Sequence, residues 1–248
     1  MAKYGSSSAG FLLVGGDNVL GVTTLLADSQ GASTAATQSL GDAWPESLPT
    51  GVRNATVDAS GLYDDAAGSI NDAHAANVGT SQVVCWNLSG DTTGNAFHGV
   101  EGAYTASYVR GTSVGELHTA KGVYDVSGKL DTDGVILHTL SAETANYNTD
   151  TSGEQDNGAS SSAGGAGYVQ CTALTLGGYT SVTHTVRHSA DDITYTTLLS
   201  FTTITASSTA ERVAVSGTVN RYISCAGTFV GSGSGPSVTS FIGFKRDA

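Results

Sequence analysis

A two-residue alternation of side chains recurs through the C-terminal third of the chain and limits the folds open to it. Residues 181–189 show it most clearly, because Val, His, Val and His occupy 182, 184, 186 and 188 with polar residues between them. Successive side chains of a strand point to opposite faces, so this pattern predicts a half-buried β-strand. Similar stretches cover 195–205, 211–216, 221–229 and 237–245. Because turn residues separate these stretches, an antiparallel β-sandwich is predicted over 168–248.

Alternating runs predict strands upstream as well. They cover 52–61, 81–88, 103–109, 116–126 and 135–140. After the first run, Asp64 can cap a helix and Asp65 lies near its positive end, which predicts about three turns ending near His74. Residues 17–49 are interpreted as a strand followed by a long exposed loop anchored at Trp44 and Pro45. Because strong helix formers such as Lys, Glu and Met are scarce, the predicted class is all-β with one short helix.

Residues 141–167 mark the clearest break in the chain. This stretch, rich in Gly, Ser and Asn, holds one aromatic residue and no Val, Leu or Ile. Such a segment buries too little apolar area to offset the cost of ordering it, which predicts a linker. The predicted organisation is therefore a β-sandwich domain over 1–140, a linker over 141–167 and a second β-sandwich domain over 168–248. The alternative is a long surface loop within a single sandwich.

Acidic charge is concentrated in the first predicted domain. The chain has 10 Lys and Arg against 22 Asp and Glu, a formal net charge of −12. Residues 1–140 carry −9, residues 141–167 carry −4 and residues 168–248 carry +1. Affinity for nucleic acid comes largely from Lys and Arg at the phosphates, so this composition argues against a basic nucleic-acid binder. It permits a passage through which DNA slides without sticking.

The three cysteines are predicted to be buried, unpaired thiols. Cys85, Cys171 and Cys225 lie in apolar, strand-like runs, and their spacing matches no zinc or redox motif. The N-terminus lacks the charged-then-apolar order of a signal peptide, and no apolar run approaches the ~20 residues of a membrane helix. We therefore expect a soluble protein of a reducing compartment that is not secreted by the usual route and has no membrane partner.

The sequence offers no credible active site. A G-x-S-x-G motif centred on Ser113 matches the nucleophile elbow, but a chain this rich in Gly and Ser gives that match by chance. His184 and His188 lie on a strand with their Cα atoms ~13 Å apart, too far to share a metal. Asp133 and Gly134 are interpreted as a turn between two strands. We predict no catalytic residue, no cofactor and no metal.

Two stretches of the N-terminal half resemble a known family. They are MAKYGSSSAGFLLVGGDNVLGVTT at 1–24 and LGDAWPESLPTGVRNATVDASGLYDDAAGSINDAH at 40–74. Both resemble the opening of the major tail proteins, or tail tube proteins, of long-tailed bacteriophages of the siphovirus type. Residues 181–229, from SVTHTVRHS to SCAGTF, resemble a β-sandwich module found at the C-terminus of some phage virion proteins.

The resemblance implies two packed antiparallel sheets with a flanking helix, in rings of six that stack into a tail tube conducting the genome. It implies that 64–74 form the flanking helix, that 28–50 form a long loop touching the next ring, and that 2–10 form an arm between rings. It places 168–248 on the tube exterior. The assembly candidates are Ala2, Lys3, Tyr4, Trp44, Pro45, Tyr63, Asp64, Asp65 and Ile70. The implied partners are further copies of the chain, tape measure, terminator and initiator proteins, and double-stranded DNA in transit.

Two other functions remain open. A capsid decoration or head-fibre protein belongs to the same broad class but forms no tubes. A carbohydrate-binding module in the C-terminal domain would need exposed aromatic rings, for which Tyr179, Tyr195 and Tyr222 are the candidates. Packing of these rings on the core, with the hydroxyl at the rim, is the favoured interpretation. A hydrolase acting through Ser113 ranks third.

Overall fold

The computed structural model describes residues 10–19, 23–36, 47–63, 70–112, 114 and 116–247. These residues form one helix and sixteen strands. The helix is α1 (Ile70–Ala76). The strands are β1 (Phe11–Val14), β2 (Asp17–Asn18), β3 (Thr23–Ala36), β4 (Ser47–Leu62), β5 (Gln82–Asn87), β6 (Ala96–Gly111), β7 (Thr119–Val126), β8 (Leu130–Glu143), β9 (Tyr147–Asn148), β10 (Gln155–Asp156), β11 (Gly165–Thr175), β12 (Ser181–Ser189), β13 (Thr196–Ser200), β14 (Thr209–Val215), β15 (Tyr222–Val230) and β16 (Ser237–Arg246). The predicted all-β class with one short helix is confirmed.

Most strands belong to one antiparallel sheet of eleven. Its main path runs β14-β11-β16-β8-β6-β5-β1-β2, and β7, β4 and β3 branch from β6 in that order. Strand β6 makes the branch possible because it is sixteen residues long. Its first part lies between β5 and β8, and from Ala103 onward it pairs with β7. The sheet thus divides into a curved region around β8 and a separate wing of β7, β4 and β3.

The two ends of the main path approach each other around a buried aromatic cluster. Gln170 on β11 connects them, because its Oε1 accepts from the Gly16 amide at 2.6 Å and its Nε2 donates to the Val83 carbonyl at 3.0 Å. The enclosed residues are Phe11, Leu13, Cys85, Phe97, Ile136, Ala166, Tyr168 and Phe241. Burial of these side chains favours the curvature by removing apolar surface from water.

A second, five-stranded sheet packs on the other region of the first. Its order is β10-β15-β12-β13, with β9 added on β15. The core between the sheets includes Val182 and Val186 from β12, Cys225 from β15 and Ile242 from β16. The alternation predicted for 181–189 is confirmed, because Val182, His184 and Val186 are buried whereas the Thr residues between them are half-buried. This two-sheet core is the predicted antiparallel sandwich, with β8 of the N-terminal half contributing Leu137 to it.

Residues 141–167 differ from the predicted linker. Residues 141–143 end β8 and pair with β16, β9 and β10 pair with β15, and β11 begins at Gly165. Polar side chains also fasten the segment: the Asp150 carboxylate contacts Arg187 and accepts from Ser224 Oγ at 2.6 Å. Backbone pairing and these contacts hold a stretch that has little apolar area to bury. The larger sheet contains strands from both sides of this segment, so the predicted domain division does not coincide with a gap in the sheet.

Three further expectations are corrected or refined. Residues 28–50, expected as a long loop, belong largely to the β3–β4 hairpin, with 37–46 outside the described residues. Asp133 and Gly134 lie inside β8 rather than at a turn between strands, and Asp133 has the left-handed φ of 57° that Asp tolerates. The predicted helix is confirmed from Ile70 and extends past His74 to Ala76, whereas 64–69 lie outside the described residues.

Candidate assembly surfaces

Strand β3 presents a long edge. It pairs with β4 on one side and with no other strand in the described part of the chain. An unpaired edge offers a row of backbone N–H and C=O groups to another strand, and proteins usually guard such edges with Lys, Pro or bulges. The sequence of β3, TTLLADSQGASTAA, contains no Lys, no Pro and one charged residue, Asp28. The register with β4 shifts between Thr23 and Leu25 and again between Ala32 and Thr34, so the regular stretch 25–32 is the part of the edge open to pairing with a second polypeptide.

The far part of the β3–β4 hairpin extends beyond the sheet. Strand β4 pairs with β7 only from Thr56 to Leu62, so its residues 47–55 rest on β3 alone. A cleft of about 410 Å³, lined by Gln30, Asn54 and Lys129 among others, separates this part from the β7–β8 connection. A two-stranded ribbon is marginally stable by itself in water. Packing against another molecule would stabilise this one.

Exposed apolar side chains gather at the opposite end of the wing. Leu62 of β4 and Gly111 of β6 both pair with Thr119 of β7, so the ends of three strands meet there. Around this end, Val114 is fully exposed and Leu117 is 72% exposed. Val109 and Leu62 are exposed as well. Apolar residues scattered singly on a surface need no explanation, but a group at one end marks a contact surface.

Of the predicted assembly residues, Tyr63 lies beside this apolar end and Ile70 belongs to the helix. The half-buried Tyr63 donates its backbone N–H to the His118 carbonyl at 2.9 Å, and its ring centroid lies 6.2 Å from that of His118. Ile70 begins α1. The remaining seven fall outside the described residues: Ala2, Lys3, Tyr4, Trp44, Pro45, Asp64 and Asp65.

Helix α1 is fixed to the wing by polar contacts as well as by packing. Ala73 joins the core beneath it, and the buried ring of His74 hydrogen-bonds to Tyr124 of β7 through Nδ1. Tyr108 of β6 donates its hydroxyl to Asn71 Oδ1 at 2.7 Å. Gly122 allows this approach, because a Cβ there would come within 3.0 Å of the His74 ring. The helix is thus a rigid part of the wing.

The acidic residues of the N-terminal half fall into two groups. Asp131 is buried and bound to Arg212 at 2.8 Å, and Asp58 pairs with Lys121 at 3.3 Å. Glu101 is exposed but also pairs with Arg212 at 3.2 Å. Glu116, by contrast, is exposed and makes no ion pair within the described residues. Carboxylates of the second group keep their charge available to solvent, whereas paired ones have it largely compensated. The exposed group is therefore the part of the predicted negative surface that the described residues supply.

The groups considered for chemistry have structural surroundings. Cys85, Cys171 and Cys225 are buried and free, as predicted, and burial raises the pKa of each thiol, to about 12 for Cys85 and Cys225 and about 11 for Cys171. Thiols held in the neutral form are poor nucleophiles. Ser113 lies outside the described residues. Among those described, no three His, Cys, Asp or Glu side chains are grouped to hold a metal.

The three tyrosines considered for sugar binding are engaged by neighbours. Tyr179 packs on the sandwich core beside Phe229, with ring centroids 5.6 Å apart, which confirms the expected packing. Tyr195 donates its hydroxyl to Asp192 Oδ1 at 2.5 Å. Tyr222 lies under the guanidinium of Arg221, 4.8 Å from its ring centroid. All three rings are half-buried.

The open edge of β3 was missed from the sequence. Its small residues show no clear alternation of large apolar and polar side chains, and periodicity is the main signal for a strand. Its edge position depends on the rest of the sheet, which no local pattern encodes.

Similarity searches find solved structures but no sequence family. No protein-family model and no curated protein matches the chain. The tail of an empty gene transfer agent (GTA) particle, refined with C6 symmetry, matches with a TM-score of 0.40 and 17% identity, over 53% of this chain and 98% of that one. The virion of a native gene transfer agent particle matches with a TM-score of 0.36 and 18% identity, over 52% and 97%.

A further match covers nearly the whole chain. It is the SPP1 Dit protein, described as a paradigm of the hub adsorption apparatus of phages that infect Gram-positive bacteria. The TM-score is 0.34 and the identity 9%, over 97% of this chain and 100% of that one. With TM-scores under 0.5, the matches add no argument about the role of this chain.

Proposed function

We propose that the chain is a non-enzymatic structural protein of a phage virion, which self-assembles into stacked hexameric rings that form the tail tube. The open edge of β3 is the observation that carries this proposal. The resemblance of 1–24 and 40–74 to major tail proteins supplies the class of assembly.

The two surfaces of the wing support different contacts. Pairing of the β3 edge with a neighbouring copy is a heterologous contact, and such contacts close into a ring when the rotation between copies closes. The apolar end around Val114 and Leu117 offers a second contact, by which rings would stack along an axis. A tube needs one surface for contacts within a ring and another for contacts between rings. In this proposal the β3 edge serves the first and the apolar end serves the second.

The charge of the chain suits a conduit. A negative wall repels the phosphates of double-stranded DNA, and at physiological salt this repulsion acts over about 8 Å. DNA would then pass without tight binding. We further propose contacts with tape measure, terminator and initiator proteins at the tube axis and ends. The location is the virion tail; within the described residues no helix has the length and apolar character to cross a membrane.

The C-terminal part is proposed to decorate the tube exterior. Residues 168–248 carry a net charge of +1, so they contribute nothing to a negative wall. The five-stranded sheet lies on the region of the large sheet around β11 and β16, whereas the β3 edge belongs to the wing. A tube built through the wing would leave this sheet free to face outward.

Negative-stain electron microscopy of the purified chain at high concentration, with its light-scattering mass, tests the proposal. The expected result is hollow rings or tubes with a central channel. Replacing Gln30 and Ala32 with Lys places positive charge at the β3 edge, and Lys on an edge strand opposes its pairing with a second strand. Fewer tubes are expected from this double variant.

Thr197→Lys and Thr228→Lys together are the matched control. Both residues are exposed on strands of the five-stranded sheet, and the charge added is the same. Tubes should form normally from this control. A persistent monomer or a compact trimer of the unaltered chain would contradict the tube and favour a decoration protein of the capsid.

A further inference from the structure

A cleft opens at one end of the sandwich, outside the wing. It has a volume of about 620 Å³ and lies between the start of β8, residues 155–162 and the end of β16. Val135, Ile223 and Phe244 provide an apolar floor, and the rim is polar. This size and this combination of an apolar floor with a few polar groups are typical of small-molecule sites.

Arg246 supplies an unpaired cation to this cleft. Arg246 lines the cleft, and its Nη1 atom is buried without a hydrogen-bond partner among the described residues. A buried donor left unpaired is unfavourable, and more so when it is charged. Guanidinium nitrogens bind carboxylates in a planar, two-point geometry that other side chains do not match. The missing partner is therefore best supplied by a carboxylate.

The rim supplies groups for hydroxyls. Ser160, Ser162 and Asp133 line the cleft and are exposed. The other rim carboxylate, Asp247, is already bound to Lys129 at 2.8 Å, so it adds little repulsion to an anion. Asp133 accepts hydrogen bonds and the serines both donate and accept, which suits a ligand carrying several hydroxyl groups.

We propose that this cleft binds a small hydroxylated carboxylate, the chemistry of a sugar acid. The carboxylate pairs with Arg246, the hydroxyls contact Asp133 and the serines, and the ring carbons cover the apolar floor. The proposal is independent of tube formation, because none of these residues belongs to the wing.

Titration calorimetry with D-glucuronate, D-glucose and acetate as separate probes tests the site. Glucuronate should bind, and glucose and acetate should each bind at least about 10-fold more weakly because each lacks one half of the recognised chemistry. Arg246→Gln should weaken glucuronate binding by about 10-fold or more, whereas Arg110→Gln, the same change at an exposed position of β6, should leave it unchanged.

Three results would overturn the proposal: no binding of glucuronate, equal binding of acetate, or equal affinity in the Arg246→Gln variant. Should that variant fail to fold, NMR on the unaltered chain decides the matter. Shifts induced by glucuronate should then gather at 155–162 and 244–247, and shifts centred elsewhere reject this cleft as the site.

Discussion

At the scale of single residues, Asp131 shows how the sheet holds a buried charge. Its Oδ2 accepts from Tyr168 Oη at 2.5 Å and from Arg212 Nε and Nη2 at 3.0 and 2.8 Å. Burial alone would raise the pKa of this carboxyl, but the bonds from Tyr168 and Arg212 outweigh burial and lower it. The three side chains connect β8, β11 and β14, which are strands far apart in the sequence.

Arg212→Met should lower the free energy of unfolding by about 3 kcal/mol, because Asp131 would remain buried with only the partly exposed Lys129 as a counter-ion, at 3.3 Å. Urea denaturation followed by circular dichroism measures the loss. Lys121→Met is the control: it breaks the ion pair with Asp58, whose side chains are 52% and 34% exposed, and should cost under about 1 kcal/mol. Equal losses from the two variants would show that burial of the Asp131 pair is energetically unimportant.

Two buried histidines predict sensitivity to acid. His74 and His184 each have an Nε2 atom without a hydrogen-bond partner, and burial lowers the pKa of both rings to about 4. In the unfolded chain their pKa returns to about 6.5. Between these values the unfolded state binds more protons than the folded one, so the free energy of unfolding decreases as pH falls from 6.5 to 4.

The expected loss approaches about 3 kcal/mol for each histidine across that window. Urea denaturation at a series of pH values measures it. His184→Leu should reduce the slope of the profile by about half, because His74 still contributes, whereas His118→Gln, at an exposed ring, should leave the slope unchanged. A stability that does not change between pH 6.5 and 4.5 in the unaltered chain would refute this prediction.

At the scale of elements, the packing of β6, β8 and β16 depends on glycines around one ring. Phe97 of β6 is fully buried and pairs with Gly134 of β8. A Cβ at Gly134, or at Gly243 of β16, would come within 3.0 Å of the Phe97 ring. The glycines are therefore required by the close approach of an aromatic side chain to two neighbouring strands.

Gly134→Ala should destabilise the chain by about 1–3 kcal/mol, since the added methyl group overfills a packed site. Thermal unfolding gives the measurement. Gly111→Ala is the matched control because a Cβ there meets nothing within 4 Å, and it should shift stability by less than about 0.5 kcal/mol. The double variant Gly134→Ala with Phe97→Leu should lose less stability than the sum of the two single losses, because the smaller side chain leaves room for the added methyl group. Losses that simply add would argue against the contact.

At the scale of the whole molecule, a net charge of −12 governs the behaviour toward DNA. Few cations are free to displace counterions from phosphates, so the chain should not retard duplex DNA in a gel even at about 50 mM salt. A basic DNA-binding protein serves as the positive control. Retardation that weakens as salt rises would contradict a non-adhesive wall and would require a clustered basic surface.

The sequence alone determined the elements whose signal is local. Alternation predicted β12 with its correct bounds, and Asp64 and Asp65 pointed to a helix that the structure confirms from Ile70. The burial of all three cysteines followed from their apolar surroundings. These properties depend on a few neighbouring side chains, and such patterns are legible without knowing which strands pair.

Only the tertiary structure decided what depends on distant partners. The order of the large sheet, the incorporation of 141–167 into strands and the exposure of the β3 edge all arise from pairings between segments far apart in sequence. The same holds for the cleft at Arg246, which brings residues 133–137, 155–162 and 244–247 together. Backbone hydrogen bonds form between any extended segments, whatever their side chains, so the free energy of the complete sheet selects the partners.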